Sequence, residues 1–158
     1  MSSCVFPGSF NPVTRGHMDL IRRASQIFDR VTVTVMVNIH KTTGADTLER
    51  MKLLERACAG LENVRVDQWE GLLSDYMRKN GERCVIRGVR DGTEFDAEMA
   101  ASRANRQLNP DMETVLLPAD PELSWLSSSA VREMAAFGAD IGPYVPEGLE
   151  EEILQSLR

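Results

Sequence analysis

The sequence predicts an α/β protein: a Rossmann-like, doubly wound sheet of five parallel strands with flanking helices. Short runs rich in β-branched residues alternate with stretches of helical periodicity along the whole chain. A loop carrying Pro7, Gly8 and Pro12 joins the first strand to the first helix, and a strong second strand follows, so a βαβ unit opens the chain. The 158 residues hold one sizeable core and not two, so 1–158 reads as a single domain.

The first strand is expected at about 2–6. Pro7, Gly8 and Pro12 interrupt regular structure after it. A helix follows from Thr14 to Phe28, with Leu20, Ile21, Ala24 and Phe28 as its apolar stripe and His17 on the same face. Val31 to Val37 alternates β-branched residues and reads as the second strand. Residues 38–45 form a loop holding His40 and Lys41. Asp46 and Glu49 have capping-box spacing, and Gly60 closes that helix. A third strand spans Asn63 to Trp69, a short helix Leu72 to Asn80, and a fourth strand Cys84 to Gly88. A long helix runs from Thr93 to Leu108, stopped by Asn109 and Pro110. The fifth strand is Glu113 to Leu117. Ser127, Ser128 and Ser129 start another helix that ends near Gly138, and a final acidic helix covers about 147–157.

The composition excludes several classes. A net charge of -6 argues against a general nucleic-acid binder. No apolar run approaches the ~20 residues of a membrane span, and no secretion signal is visible, so no membrane partner and a cytoplasmic location are expected. Cys4, Cys58 and Cys84 are widely spaced and read as reduced structural thiols; no metal ligand set is expected.

Doubly wound sheets bind ligands at the C-terminal ends of their strands. That rule gathers Ser9 and His17 after strand one, Lys41 after strand two and Leu72 and Leu73 after strand three. It adds Arg87, Gly88 and Arg90 after strand four and the three serines beyond strand five. The crevice is expected to be cationic, without a carboxylate pair, and suited to polyphosphates at helix N-termini. Each element has a structural alternative. Lys41 can be a solvated loop residue and Arg87 a buried ion-pair partner. The serines can be only a cap, and His17 a core histidine.

Pro7 to Pro12 with Thr14, Arg15, Gly16 and His17 resembles the T/HxGH motif of the nucleotidyltransferase superfamily, and Leu126 to Arg132 resembles its ISSSxVR/K signature. Thr at position 14 is similar to the bacterial phosphopantetheine adenylyltransferase family. So are Ile86 to Arg90, Phe95 to Met99, and Asn105 with Arg106. The resemblance covers nearly the whole chain. It implies transfer of the adenylyl group of ATP to 4′-phosphopantetheine, giving dephospho-CoA and pyrophosphate in coenzyme A (CoA) synthesis. It also implies Mg²⁺ held mainly by the ATP phosphates, a homohexamer and feedback inhibition by CoA.

By the same resemblance His17, Ser9, Lys41 and Arg87 would be catalytic. Ser9, Phe10, His17, Gly88, Val89, Arg90, Glu98, Leu123, Ser124, Trp125, Leu126, Ser127, Ser128 and Ser129 would line the ATP site. Ser9, Lys41, Leu73, Arg87 and Asn105 would bind phosphopantetheine. Ser9 replaces a usual Thr, Asn11 a common Asp, and Ala97 a Tyr found in some members. The alternatives are adenylyl or cytidylyl transfer to another phosphate acceptor, or a non-catalytic nucleotide- or CoA-binding module.

Overall fold

The computed structural model describes residues 1–37, 40 and 44–158. Its strands are β1 (Ser3–Gly8), β2 (Arg30–Val37), β3 (Val64–Glu70), β4 (Cys84–Val89) and β5 (Glu113–Pro118). Its helices are α1 (Arg15–Ile27), α2 (Gly44–Ala57), α3 (Leu73–Lys79), α4 (Gly92–Leu108), α5 (Ser128–Ala136) and α6 (Glu150–Ser156). The five strands form one parallel sheet in the order β3-β2-β1-β4-β5. The chain winds outward from β1 to β3, then returns to place β4 on the other side of β1. The winding direction therefore reverses between β1 and β4, and the crevice opens there.

Period-2 alternation decides which face each residue covers. Val31, Val33 and Val35 of β2 join Cys4, Phe6 and Ile86 in a large core with Leu20, Ile21 and Ala24 of α1, Leu54 of α2 and Ile153 of α6. Val5 and Val85 point the other way, into a smaller cluster with Tyr76, Met77 and Met112. At the N-terminal edge of the sheet the buried Glu82 carboxylate accepts from Arg30 at 2.8 Å and Ser3 Oγ at 2.7 Å.

Three elements differ from the sequence expectation. β1 continues through Pro7 and Gly8, paired to Thr34 and Val35; toward β4 it is registered only at Val5 and Val85, so the proline's missing N–H falls where that ladder has ended. α2 starts at Gly44, which puts Asp46 in its first turn and not at its cap. It ends at Ala57, before Gly60. α6 is shorter than 147–157 because Gly148 turns the chain at φ 82° and Leu149 is its N-cap.

Gly88 matters by close approach. A Cβ on it would collide with Leu20 Cδ1 of α1, which crosses the sheet there. Gly88→Ala is expected to push Leu20 off its packing and to destabilise the fold by about 1–3 kcal/mol. Chemical denaturation checks this; an unchanged midpoint would mean that Leu20 swings aside freely.

Candidate active site

The site is built outward from the turn between β1 and α1. Phe10 lies in the left-handed region at φ 47°, and its ring folds back over Gly8. A Cβ on Gly8 would stand 3.1 Å from that ring, so the loop needs glycine there. The ring also meets His17 edge-on, with centroids 4.9 Å apart.

Thr14 and His17 cap the helix reciprocally. Thr14 Oγ1 accepts from the His17 backbone N–H at 3.3 Å, and His17 Nδ1 accepts from the Thr14 N–H at 3.0 Å. A glutamate or glutamine usually holds that third helical position. With an imidazole there, the accepting Nδ1 carries no proton and Nε2–H becomes the donor of the neutral ring. Burial, then the charges of Arg87 and Arg90, push the His17 pKa down to about 4, so the ring is neutral at pH 7.

The loop before the helix is held by its carbonyls. Arg87 Nη1 of β4 donates to Pro7 O at 2.9 Å, and Arg50 Nη1 of α2 to Ser9 O at 2.9 Å. Arg132 of α5 donates to Asn11 O, and Ser128 Oγ to Pro12 O at 2.7 Å. Three elements thereby fix four carbonyls from Pro7, near the end of β1, to Pro12, in a stretch whose ladder ends at Gly8.

Two cavities share a wall. The first, about 280 Å³, is lined by Ser9, Phe10, His17, Gly88, Arg90 and Ser127 among others, and lies over the N-termini of α1 and α5. The second, about 150 Å³ and mostly apolar, is lined by Leu73, Val85, Glu98, Ala101, Asn105 and neighbours. Pro7 and Arg87 line both.

The arginines are not bare cations. Arg87 binds Glu98 through Nε at 3.1 Å and Nη2 at 2.9 Å. Arg90 binds Glu94 through Nε at 2.9 Å and through Nη2, and its Nη1 donates to Leu126 O at 3.1 Å. Those hydrogen bonds hold the Glu94 carboxyl below its ordinary range. Asp19 and Asp120 also line the first cavity. The expectation of a cationic crevice is therefore corrected: α4 delivers Glu94 and Glu98, one turn apart, to the two arginines. A guanidinium has five N–H donors, and three of each are spent here, which leaves two apiece for a ligand. Among the described residues no group of three His, Cys, Asp or Glu is placed to hold a metal ion.

The predicted residues separate between the cavities. Ser9, Phe10, His17, Gly88, Arg90, Leu123, Leu126, Ser127 and Ser128 line the first. Leu73, Asn105 and Glu98 line the second, which puts Glu98 beside the predicted phosphopantetheine residues. Val89, Ser124, Trp125 and Ser129 line neither. Lys41 lies outside the described residues, and His40 is exposed. Ser127 Oγ caps α5 by accepting from Ala130, and Ser129 Oγ accepts from Arg132 at 3.2 Å, so both keep a hydroxyl proton to donate; Ser128 spends its own on Pro12 O. Glu94 and Arg50 escaped the sequence reading. Glu94 had a signal, four residues after Arg90 at a helix start. Arg50 had one too, a cation three and four residues before Leu53 and Leu54 on an apolar stripe.

The model of the cytidylyltransferase-like family matches residues 5–134. A phosphopantetheine adenylyltransferase from Finegoldia magna is 45% identical over 96% of this chain and 93% of its own length. One from Rubrobacter xylanophilus is 45% identical over 98% of this chain and 94% of its own. A solved structure from Vibrio parahaemolyticus, assigned as a nicotinate-nucleotide adenylyltransferase, superposes with a TM-score of 0.70 over 99% of this chain and 95% of that one. At 20% identity that likeness is one of fold. With half of its motif residues around one cavity and relatives matching along nearly its full length, the chain belongs to the cytidylyltransferase-like family and, within it, to the phosphopantetheine adenylyltransferases.

Proposed function

We propose that this chain, acting as one domain, transfers the adenylyl group of ATP to 4′-phosphopantetheine, giving dephospho-CoA and pyrophosphate. The observation that carries the reading is the pair of cavities joined at Arg87. One carries Arg87 and Arg90 and is edged by two helix N-termini, as a triphosphate needs. The other is narrow and apolar, as a pantetheine arm needs. The guanidinium between them has donors left for the phosphate where the two substrates meet.

The acceptor's phosphate has a second pKa near ~6 and is largely a dianion at neutral pH, so it needs no general base. One of its oxygens bonds to the α-phosphorus of ATP while the bond from that phosphorus to the β-phosphate bridging oxygen breaks in line, and pyrophosphate leaves. Two unit negative charges ~4 Å apart repel by roughly 4 kcal/mol at an effective dielectric of 20. Arg87 and Lys41 would hold the acceptor phosphate, and Leu73 and Asn105 its arm. Arg90, Gly88, the 123–129 segment and the N-terminus of α5 would hold the nucleotide. The Ser9 hydroxyl would orient the attacking oxygen. His17 Nε2–H would donate to the α-phosphoryl oxygens as their charge grows. No covalent enzyme intermediate is required.

Mg²⁺ would arrive with the ATP phosphates and neutralise part of their charge. CoA, which shares the arm and nucleotide of the product, would compete for the same two cavities. The free thiols of Cys4, Cys58 and Cys84 suit a reducing cytoplasm. A homohexamer fits α4, a helix of 17 residues with none buried, which leaves Phe95 and Leu108 exposed near Val115 of β5.

Pyrophosphate release with ATP and Mg²⁺ is expected with 4′-phosphopantetheine, and not with nicotinate mononucleotide or with no acceptor. Release only with nicotinate mononucleotide, or a preference for CTP, would overturn the substrate assignment. His17→Ala should lower kcat by about 10²-fold or more while the protein stays folded; a near-normal kcat would remove His17 from the mechanism.

His17 also sets a pH dependence of stability. Its pKa is about 4 folded against 6.5 for the free side chain. Between those values the unfolded chain takes up a proton that the folded one refuses. Stability is therefore lost as pH falls from 6.5 toward 4, by on the order of 2 kcal/mol. The urea midpoint should fall further between pH 7 and pH 5 in wild type than in His17→Asn. Parallel losses in both would show that His17 does not carry the effect.

A further inference from the structure

Arg50 lines neither of the two joined cavities. It is only 6% exposed, on the stripe of α2 that carries Leu53 and Leu54 into the core. Its Nε donates to the carbonyl of Asp46 at 3.2 Å and its Nη1 to that of Ser9 at 2.9 Å. Its Nη2 is buried without a hydrogen-bond partner. The charge of Asp46, one turn back on α2, acts on it, whereas Arg87 and Arg90 are each forked onto a glutamate.

Such a group is an expensive way to fill a core position. Burying a guanidinium with an unsatisfied Nη2 is destabilising, and an apolar residue of similar volume usually is not. What the arginine alone provides is a donor that reaches from α2 to the Ser9 carbonyl. That carbonyl belongs to the peptide leading into Phe10, whose left-handed conformation lays its ring against His17. The same guanidinium places a positive charge beneath the loop on which phosphates would rest.

We propose that Arg50 is a positioning residue for the adenylyl transfer: by holding the Ser9 carbonyl it fixes the Ser9 hydroxyl and, through Phe10, the His17 ring. This rests on the reaction assigned above. Arg50 touches no substrate, so its loss acts on the geometry reached in the transition state and leaves both substrates bound about as before.

The test uses the full chain with Arg50→Met, which fills the stripe without a charge, and Arg50→Lys, which keeps the charge and one donor. Arg50→Met is expected to stay folded while kcat drops at least tenfold and both KM values stay within threefold. Arg50→Lys should recover part of the loss. In a Ser9→Ala background the penalty of Arg50→Met should shrink, because one of the two groups it positions is gone. Amide hydrogen exchange over residues 9–17 should speed up at least tenfold, with β1 and β2 unchanged. Activity that merely follows the folded fraction, or an equal penalty with and without the Ser9 hydroxyl, would overturn the proposal. So would unchanged exchange in the loop. Exchange needs no substrate, so it decides the role of Arg50 even if the wild type turned over no acceptor, a result that would sink the assigned reaction instead. If Arg50→Met does not fold, Arg50→Lys carries the same three readouts.

Discussion

The structure depends on the reciprocal cap between Thr14 and His17. A helix start has backbone N–H groups without partners, and they must be satisfied or solvated. Here the side chain that satisfies one of them is an imidazole. The Thr14 N–H fixes the ring's orientation and also its tautomer, because a nitrogen that accepts cannot carry the proton. The same bond that ends the loop leaves the ring with one outward donor. Burial and two neighbouring arginines keep that ring neutral, so the donor persists across the physiological range.

The loop feeding this cap has almost no structure of its own, and its rigidity is borrowed. Arginines from β4, α2 and α5 and a serine from α5 each take one of its carbonyls. The consequence is electrostatic as well as mechanical. Three of these carbonyl oxygens, the negative ends of their peptide groups, are turned toward guanidinium groups.

Charge is handled with the same restraint. A chain of net charge -6 has to accommodate two phosphorylated molecules. It does so with arginines that arrive already paired: Glu98 on Arg87 and Glu94 on Arg90. The carboxylates orient each planar fork and limit the number of donors on offer. An unpaired pair of arginines at this junction would repel one another and drift; the glutamates of α4 set their positions before any ligand is present.

The sequence by itself determined the architecture. Alternation of Val and Thr in β2, the helical stripes and the turn residues between them fixed five strands and their connecting helices, because those periodicities are local. It also placed Ser9, His17, Arg87 and Arg90 at one edge, since strand ends in a parallel sheet share a side. The strand order was decided only by the fold, and it put the reversal between β1 and β4, so that the loops after those strands form the crevice while β3 stands at the far edge. Side-chain pairing was likewise a tertiary matter. Glu94 meets Arg90 locally, four residues on, but Glu98 reaches Arg87 because α4 packs back over β4, and Arg50 reaches Ser9 O across 41 positions of chain. No local pattern encodes which carbonyl a guanidinium will find; packing decides that, by burying the donor where one acceptor remains.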